Sequence, residues 1–159
     1  MGRRAMNSAA MAVMRGRTVL VVDDIATNRL LLQFMLRAEG MVVELACDGL
    51  EAVRRVESEA FDLVLMDLSM PVMDGYQATR AIRDLTARAS AVERPALAAL
   101  PIIAVTANQA RGERARCLAA GMNDYLTKPI VRLDLLRAIA LALENGPPIA
   151  SDLARGGHA

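Results

Sequence analysis

Three observations predict an α/β fold, a parallel sheet with helices on both faces. Short apolar runs at 18–22, 41–46, 62–66, 101–105 and 123–126 alternate with stretches of helical periodicity. The first, third and fourth runs are nearly continuous in Val, Leu, Ile and Met, the pattern of strands covered on both faces. Between the runs stand helix starts and stops, so each connection is a right-handed crossover through a helix. A chain of 159 residues holds one such domain with a real core, placed at 18–144.

Taken in order, the run at 18–22 is followed by Thr27 or Asn28, either able to cap a first helix that Gly40 ends. The run at 41–46 leads to Asp48 and Glu51, which have capping-box spacing for the second helix. After 62–66, Asp74–Gly75 opens the third. The connection at 86–100 (TARASAVERPALAAL) is long for a link between helix and strand; it is Ala-rich and prolongs the third helix until Pro95. The run at 101–105 precedes a fourth helix that carries Gly112, which weakens a helix by roughly 0.5–1 kcal/mol relative to Ala, and that Gly121 closes. The run at 123–126 precedes a last helix over 132–144, with Leu133, Leu136, Ile139, Ala140 and Leu143 on one face.

Composition narrows the function classes. Apolar residues make up 54% and aromatic ones 3%, so the core is aliphatic. A net charge of +1 offers no concentrated basic face for nucleic acid. Cys47 and Cys117 lack metal-ligand spacing and read as free thiols of a reduced cytoplasm. No stretch has the length of a membrane span. Residues 1–17 imitate a signal peptide, but Asn7 and Ser8 interrupt its apolar centre, and a disordered basic arm is expected there. Met6, Met11 and Met14 are alternative start sites within it. The breaker-rich stretch 145–159 is expected to be a flexible tail, and the single histidine, His158, lies in it, away from any chemistry.

The chemistry stands at the ends of the runs. Asp23 and Asp24 end the first, Asp67 ends the third, and Lys128 follows the last. In an open parallel sheet those carboxyl ends line one crevice, where ligands bind. Like charges gathered there are costly unless a cation joins them. The cluster therefore calls for a metal and an anion together, which is phosphate chemistry.

With VVDD, DLVLMDLSMPVMDG, PIIAVTAN and AAGMNDYLTKP in this order over 18–144, the chain resembles the receiver domain of two-component response regulators. The segments around Asp67 and Lys128 are most similar to receivers of hybrid histidine kinases. The resemblance implies a five-stranded, flavodoxin-like sheet in the order 2-1-3-4-5. It implies that Asp67 accepts a phosphoryl group from a partner phosphohistidine. It further implies that Asp23, Asp24, Asp67 and the backbone carbonyl of Ser69 hold Mg²⁺, and that Lys128 and the Thr106 hydroxyl meet the phosphoryl oxygens. Tyr125 takes the place of a switch aromatic that follows Thr106, and the Lys128–Pro129 bond is expected to be cis.

The implied partners are a histidine kinase or histidine phosphotransfer protein and a downstream protein target. The implied state is a cytoplasmic monomer or a phosphorylation-dependent dimer, with neither nucleic acid nor membrane as partner. The fifteen residues after 144 are too few for a DNA-binding module, so a stand-alone receiver is expected, not an enzyme beyond its own phosphorylation and dephosphorylation. Two rivals stand beside this reading. A haloacid-dehalogenase-like phosphatase would carry a second acid where Ser69 stands, and a phosphate-independent adaptor would have lost pocket residues that are all present here.

Overall fold

The computed structural model describes residues 8–88, 97 and 99–145. Five strands, β1 Thr18–Val22, β2 Val42–Ala46, β3 Leu63–Asp67, β4 Ile102–Thr106 and β5 Asp124–Thr127, pair in parallel in the order β2-β1-β3-β4-β5. This is the expected fold and the expected strand order. Six helices lie among the described residues: α1 Ser8–Met14, α2 Ala26–Arg37, α3 Gly49–Ser58, α4 Gly75–Arg88, α5 Glu113–Ala120 and α6 Arg132–Glu144.

Side-chain alternation along the three central strands builds two cores, one on each face of the sheet. Leu20, Val22, Val64, Met66, Ile102 and Ala104 pack with Val56 of α3, Ile82 of α4 and Cys117 of α5. Val19, Val21, Leu63, Leu65, Ile103 and Val105 pack with Leu36 of α2 and Leu135 and Ile139 of α6. Each fully buried aliphatic side chain contributes about 1.5–3 kcal/mol relative to exposure, so these strands carry most of the hydrophobic stabilisation. The edge strands β2 and β5 are only partly covered.

Three local expectations need correction. Residues 8–17 are not a disordered arm: Ser8–Met14 is helical, and Met14 is fully buried in the core on the α2/α6 face. Ala10, Val13 and Met14 form one apolar face, and the turn after them is tied down where the Gly16 N–H donates to the Gly40 carbonyl at 2.9 Å. Neither Thr27 nor Asn28 caps α2. Ile25 is the N-cap residue, and its N–H is satisfied by Asp23 Oδ1 at 2.9 Å. Gly112 lies before α5 rather than inside it, at φ +84°, a conformation that suits glycine, so it shapes the turn instead of weakening a helix. Residues 1–7, the 89–96 part of the long connection with Pro95, and the tail beyond Asn145 with His158 lie outside the described residues.

Two of the helix starts near the sheet's carboxyl end, those of α3 and α4, carry side-chain caps. Asp48 Oδ1 accepts from Glu51 N at 2.8 Å, and Glu51 Oε2 reaches one residue past the N-cap to accept from Cys47 N at 2.9 Å, a variant of the capping box at the start of α3. Ahead of α4 the exchange is fully reciprocal: Asp74 Oδ1 accepts from Gln77 N at 2.8 Å and Gln77 Oε1 from Asp74 N at 3.0 Å. Asp48→Ala is expected to lower unfolding free energy by about 1 kcal/mol. A urea midpoint unmoved by the substitution would show that the cap contributes nothing.

Candidate functional site

Strand register brings the predicted residues together. Val22 pairs with Met66, so Asp23 leaves β1 at the level where Asp67 ends β3. Asp67 pairs with Val105, and Thr106 pairs with Thr127, which places Lys128 one step beyond the last pair. The Lys128 N–H donates to the Thr106 carbonyl at 2.7 Å, prolonging the ladder past β5. Lys128 Nζ then stands 3.2 Å from Asp23 Oδ2 and 3.5 Å from Asp67 Oδ1. The Lys128–Pro129 bond is cis.

Asp23 is 1% exposed and Asp67 is 4% exposed, while Asp24 is open to solvent. The three carboxylates each place an oxygen within 4.8 Å of the others. This crowding shows in the pKa of Asp67, which burial, and then the charge of Asp23, push up to about 6. Lys128 and the Ser69 N–H, which donates to Asp67 Oδ1 at 3.3 Å, pull in the opposite direction without cancelling it. One lysine is thus too little positive charge for three acids. Hard oxygen donors with a solvent-facing side suit Mg²⁺, which keeps several of its waters.

Asp23 is held by groups around it. Asp23 Oδ1 accepts from Ile25 N and, at 3.5 Å, from Asn28 Nδ2, while Arg29 donates to the Asp23 carbonyl at 2.7 Å. Oδ2 is thereby left for Lys128. Asn28 and Arg29 escaped the sequence reading as site supports; the available signal was their place in the first turn of the helix that follows the acid pair.

Thr106 is 4% exposed, and its Oγ1 accepts from Asn108 N at 3.0 Å. Tyr125 lies half-buried against the α3/α4/α5-side core and donates its hydroxyl to the Asn108 carbonyl at 3.0 Å. Thr106 and Tyr125, paired by resemblance, are therefore linked through the backbone of one intervening residue. Ser69 lies in the β3–α4 loop with its side chain exposed.

An ionised carboxylate beside a lysine, with two further acids and a hydroxyl at neighbouring strand ends, matches what comparison finds. Residues 19–140 match the family described as the response regulator receiver domain. The chain is 44% identical over 138 residues to the sensor protein GacS of Pseudomonas syringae pv. syringae, covering 84% of this chain and 15% of GacS. It is 39% identical to an uncharacterised 14.6 kDa protein of Leptolyngbya boryana, covering 83% of this chain and 94% of that one. The receiver domain of a Pseudomonas aeruginosa sensor histidine kinase, solved with a magnesium ion in its active site cleft, superimposes with a TM-score of 0.71 at 42% identity. That match covers 82% of this chain and 99% of the other. A chain of the co-crystal of the Saccharomyces cerevisiae histidine phosphotransfer protein Ypd1 with the receiver domain of Ssk1 matches with a TM-score of 0.72 at 33% identity, over 79% of this chain and 87% of that one. No helix among the described residues is long and apolar enough to cross a membrane. By sequence, fold and the register of its strand-end acids, this chain belongs to the response regulator receiver domain family of two-component signalling.

Proposed function

We propose that this chain accepts a phosphoryl group on Asp67 from a phosphohistidine of a partner protein, in a Mg²⁺-dependent reaction. The modified form then signals by binding another protein or passes the group onward. The observation that carries this reading is a single ammonium within 3.5 Å of two nearly buried carboxylates, one of them at the end of the central strand. Phosphoryl transfer asks a protein mainly for in-line positioning and for charge to meet the equatorial oxygens. An Asp67 carboxylate oxygen bonds to phosphorus as the P–N bond breaks, and the imidazole nitrogen keeps the electron pair and takes a proton. Lys128 meets one phosphoryl oxygen, and the Thr106 hydroxyl gives its proton in a hydrogen bond to another. Asp23, Asp24, Asp67 and the Ser69 carbonyl would hold Mg²⁺, which supplies the positive charge that the acids and the phosphoryl oxygens both need.

The magnesium in the Pseudomonas aeruginosa receiver supports this assignment. Tyr125, tied to the Asn108 carbonyl, follows Thr106 and remodels the surface of α5, β5 and α6. With Ser69 where a phosphatase of related chemistry carries its second acid, we expect no turnover of phosphate esters. Incubation with Mg²⁺ and acetyl phosphate, read by intact mass, tests the reading. Wild type should gain one phosphoryl group and Asp67→Asn none; equal labelling of the two would overturn it.

The partner surface has support of its own. α2 starts beside the acid pair and buries Leu32 and Leu36, yet it leaves Leu30, Leu31 and Phe34 exposed at 59%, 53% and 75%, with Ile25 at 50% in its N-cap. Such a strip at the mouth of the site suits the apolar face of a helical phosphodonor. The Ypd1 co-crystal supports a histidine phosphotransfer protein as that class of partner, and the cytoplasm is its proposed location. Phe34→Ser is expected to slow transfer from a phosphohistidine domain by about tenfold relative to transfer from acetyl phosphate. An unchanged ratio of the two rates would move the docking surface elsewhere.

A further inference from the structure

The Glu113 carboxylate takes no part in the chemistry above, although it is 5% exposed. An ionised carboxylate at that depth is costly unless donors and positive charge surround it. Here they do. The Tyr76 hydroxyl donates to Oε1, and Asn108 Nδ2 donates to Oε2 at 3.3 Å. Arg116 NH1 stands 4.0 Å from Oε2, and its guanidinium lies 4.7 Å from the centroid of the Tyr76 ring. Glu113 is also the first residue of α5, where the helix dipole favours an anion.

Both arms of this cluster lead back to the phosphoacceptor site. On one side, Asn108 places its backbone N–H on Thr106 Oγ1 and its carbonyl on the Tyr125 hydroxyl. On the other, Tyr76 follows Gly75, which lies so close to the end of β3 that a Cβ there would come 2.3 Å from the Asp67 carbonyl oxygen. Tyr76 and Glu113 are 37 residues apart in sequence, on the helices that follow the two loops flanking the pocket. The carboxylate therefore ties the loop after Asp67 to the loop after Thr106. Because the Asn108 N–H already occupies a lone pair of Thr106 Oγ1, the hydroxyl proton is left to be given to another acceptor.

We propose that Glu113, clasped between Tyr76 and Asn108, is a positioning residue that sets the separation of Thr106 and Asp67, so that hydroxyl and carboxylate meet the same phosphoryl group. This rests on reading Asp67 as the phosphoacceptor. In-line transfer is sensitive to misplacement on the order of 1 Å, so loosening one loop against the other acts on the rate without touching a reacting atom.

Two near-isosteric variants test it. Glu113→Met keeps the length of the side chain but removes both acceptor oxygens, so both links are lost; glutamine would not serve, because its NH₂ can donate to the Tyr76 hydroxyl oxygen. Tyr76→Phe removes the phenol donor alone. In both, Mg²⁺ affinity by titration should stay within about twofold of wild type, because the metal ligands are untouched. The rate of labelling by acetyl phosphate and the affinity for beryllofluoride should fall about tenfold. Exchange of the Asn108 backbone amide should quicken in both, and the double variant should be no worse than the poorer single one. Wild-type labelling rate and beryllofluoride affinity in both variants would overturn the proposal. So would a parallel fall in Mg²⁺ affinity, which would make Glu113 a general support of the fold. If wild type takes no label, the phosphoacceptor reading fails, and the clasp is then decided by Asn108 exchange: unchanged exchange overturns it.

Discussion

Asp67→Asn is expected to abolish phosphoryl acceptance and, in the presence of chelator, to leave the protein more stable than wild type at neutral pH. The first effect follows from loss of the nucleophilic oxygen. The second follows from the pKa of Asp67, raised from 3.8 to about 6 by burial and by the Asp23 charge. The folded protein binds this proton more tightly than the unfolded chain does. The stability associated with the neutral acid is therefore fully present below about pH 4, is lost as pH rises through 6, and stays lost above it. At about 1.4 kcal/mol per unit, the shift from 3.8 to about 6 corresponds to a cost on the order of 2–3 kcal/mol for holding the ionised acid at pH 7. Asparagine is neutral at every pH and escapes that cost. Urea midpoints of the two proteins in chelator should converge near pH 4 and separate toward pH 7, with the variant higher. Added Mg²⁺ should close or reverse the gap, since it binds the wild-type acids and stabilises by mass action. Parallel pH profiles would mean that Lys128 already neutralises the pocket.

What was legible in the chain follows from where burial leaves no choice. β3 and β4 are buried along their whole length and β1 from Val19 onward, so the positions before the strand end must be apolar, and an acid at that end or one residue past it stands out. That is why Asp23 and Asp67 could be placed from order alone, whereas Thr106, by itself an ordinary β-branched strand end, was reached only through the family resemblance. Lys128 could be placed because the last run at 123–126 ends just before it, and β5, though only partly covered, stops at Thr127. Less was legible where a contact replaces a local signal. The start of α2 looked as if it needed Thr27 or Asn28, but the Asp23 carboxylate, already in the site, satisfies the Ile25 N–H instead. The short α1 was hidden by flanking arginines, since what commits it to the fold, chiefly the burial of Met14 with Ala10 and Val13 beside it, is packing against elements far along the chain. The clasp on Glu113 was out of reach for the same reason: its donors come from α4 and from the loop after β4, and nothing near Glu113 in sequence announces Tyr76.

Gly75 illustrates how the fold and the site depend on one position, and Gly75→Ala is expected to damage both. Gly75 opens α4 directly over the end of β3, and its N–H donates to the Leu68 carbonyl at 3.1 Å. A Cβ there would lie 2.3 Å from the Asp67 carbonyl oxygen, 2.9 Å from Leu68 Cα and 3.0 Å from the Asp67 carbonyl carbon. All three are backbone atoms of the strand end that carries Asp67, so no side-chain rotation relieves the contact. Alanine favours helix more than glycine does, by up to about 1 kcal/mol, but at this position sterics override that preference. Overpacking of this kind costs about 3 kcal/mol, and the strain has two outlets. If α4 lifts from the sheet, Ile82 and Tyr76 lose packing, stability falls, and Mg²⁺ affinity is preserved. If instead the end of β3 yields, Asp67 shifts against Asp23 and Lys128, and Mg²⁺ affinity and labelling fall with stability. The hydrogen bond from Gly75 to Leu68 ties the helix start to the same loop, which favours the second outlet. Urea unfolding in chelator and a Mg²⁺ titration of the same variant separate the two, and a variant within about 1 kcal/mol of wild type would mean that the close approach is not maintained in solution.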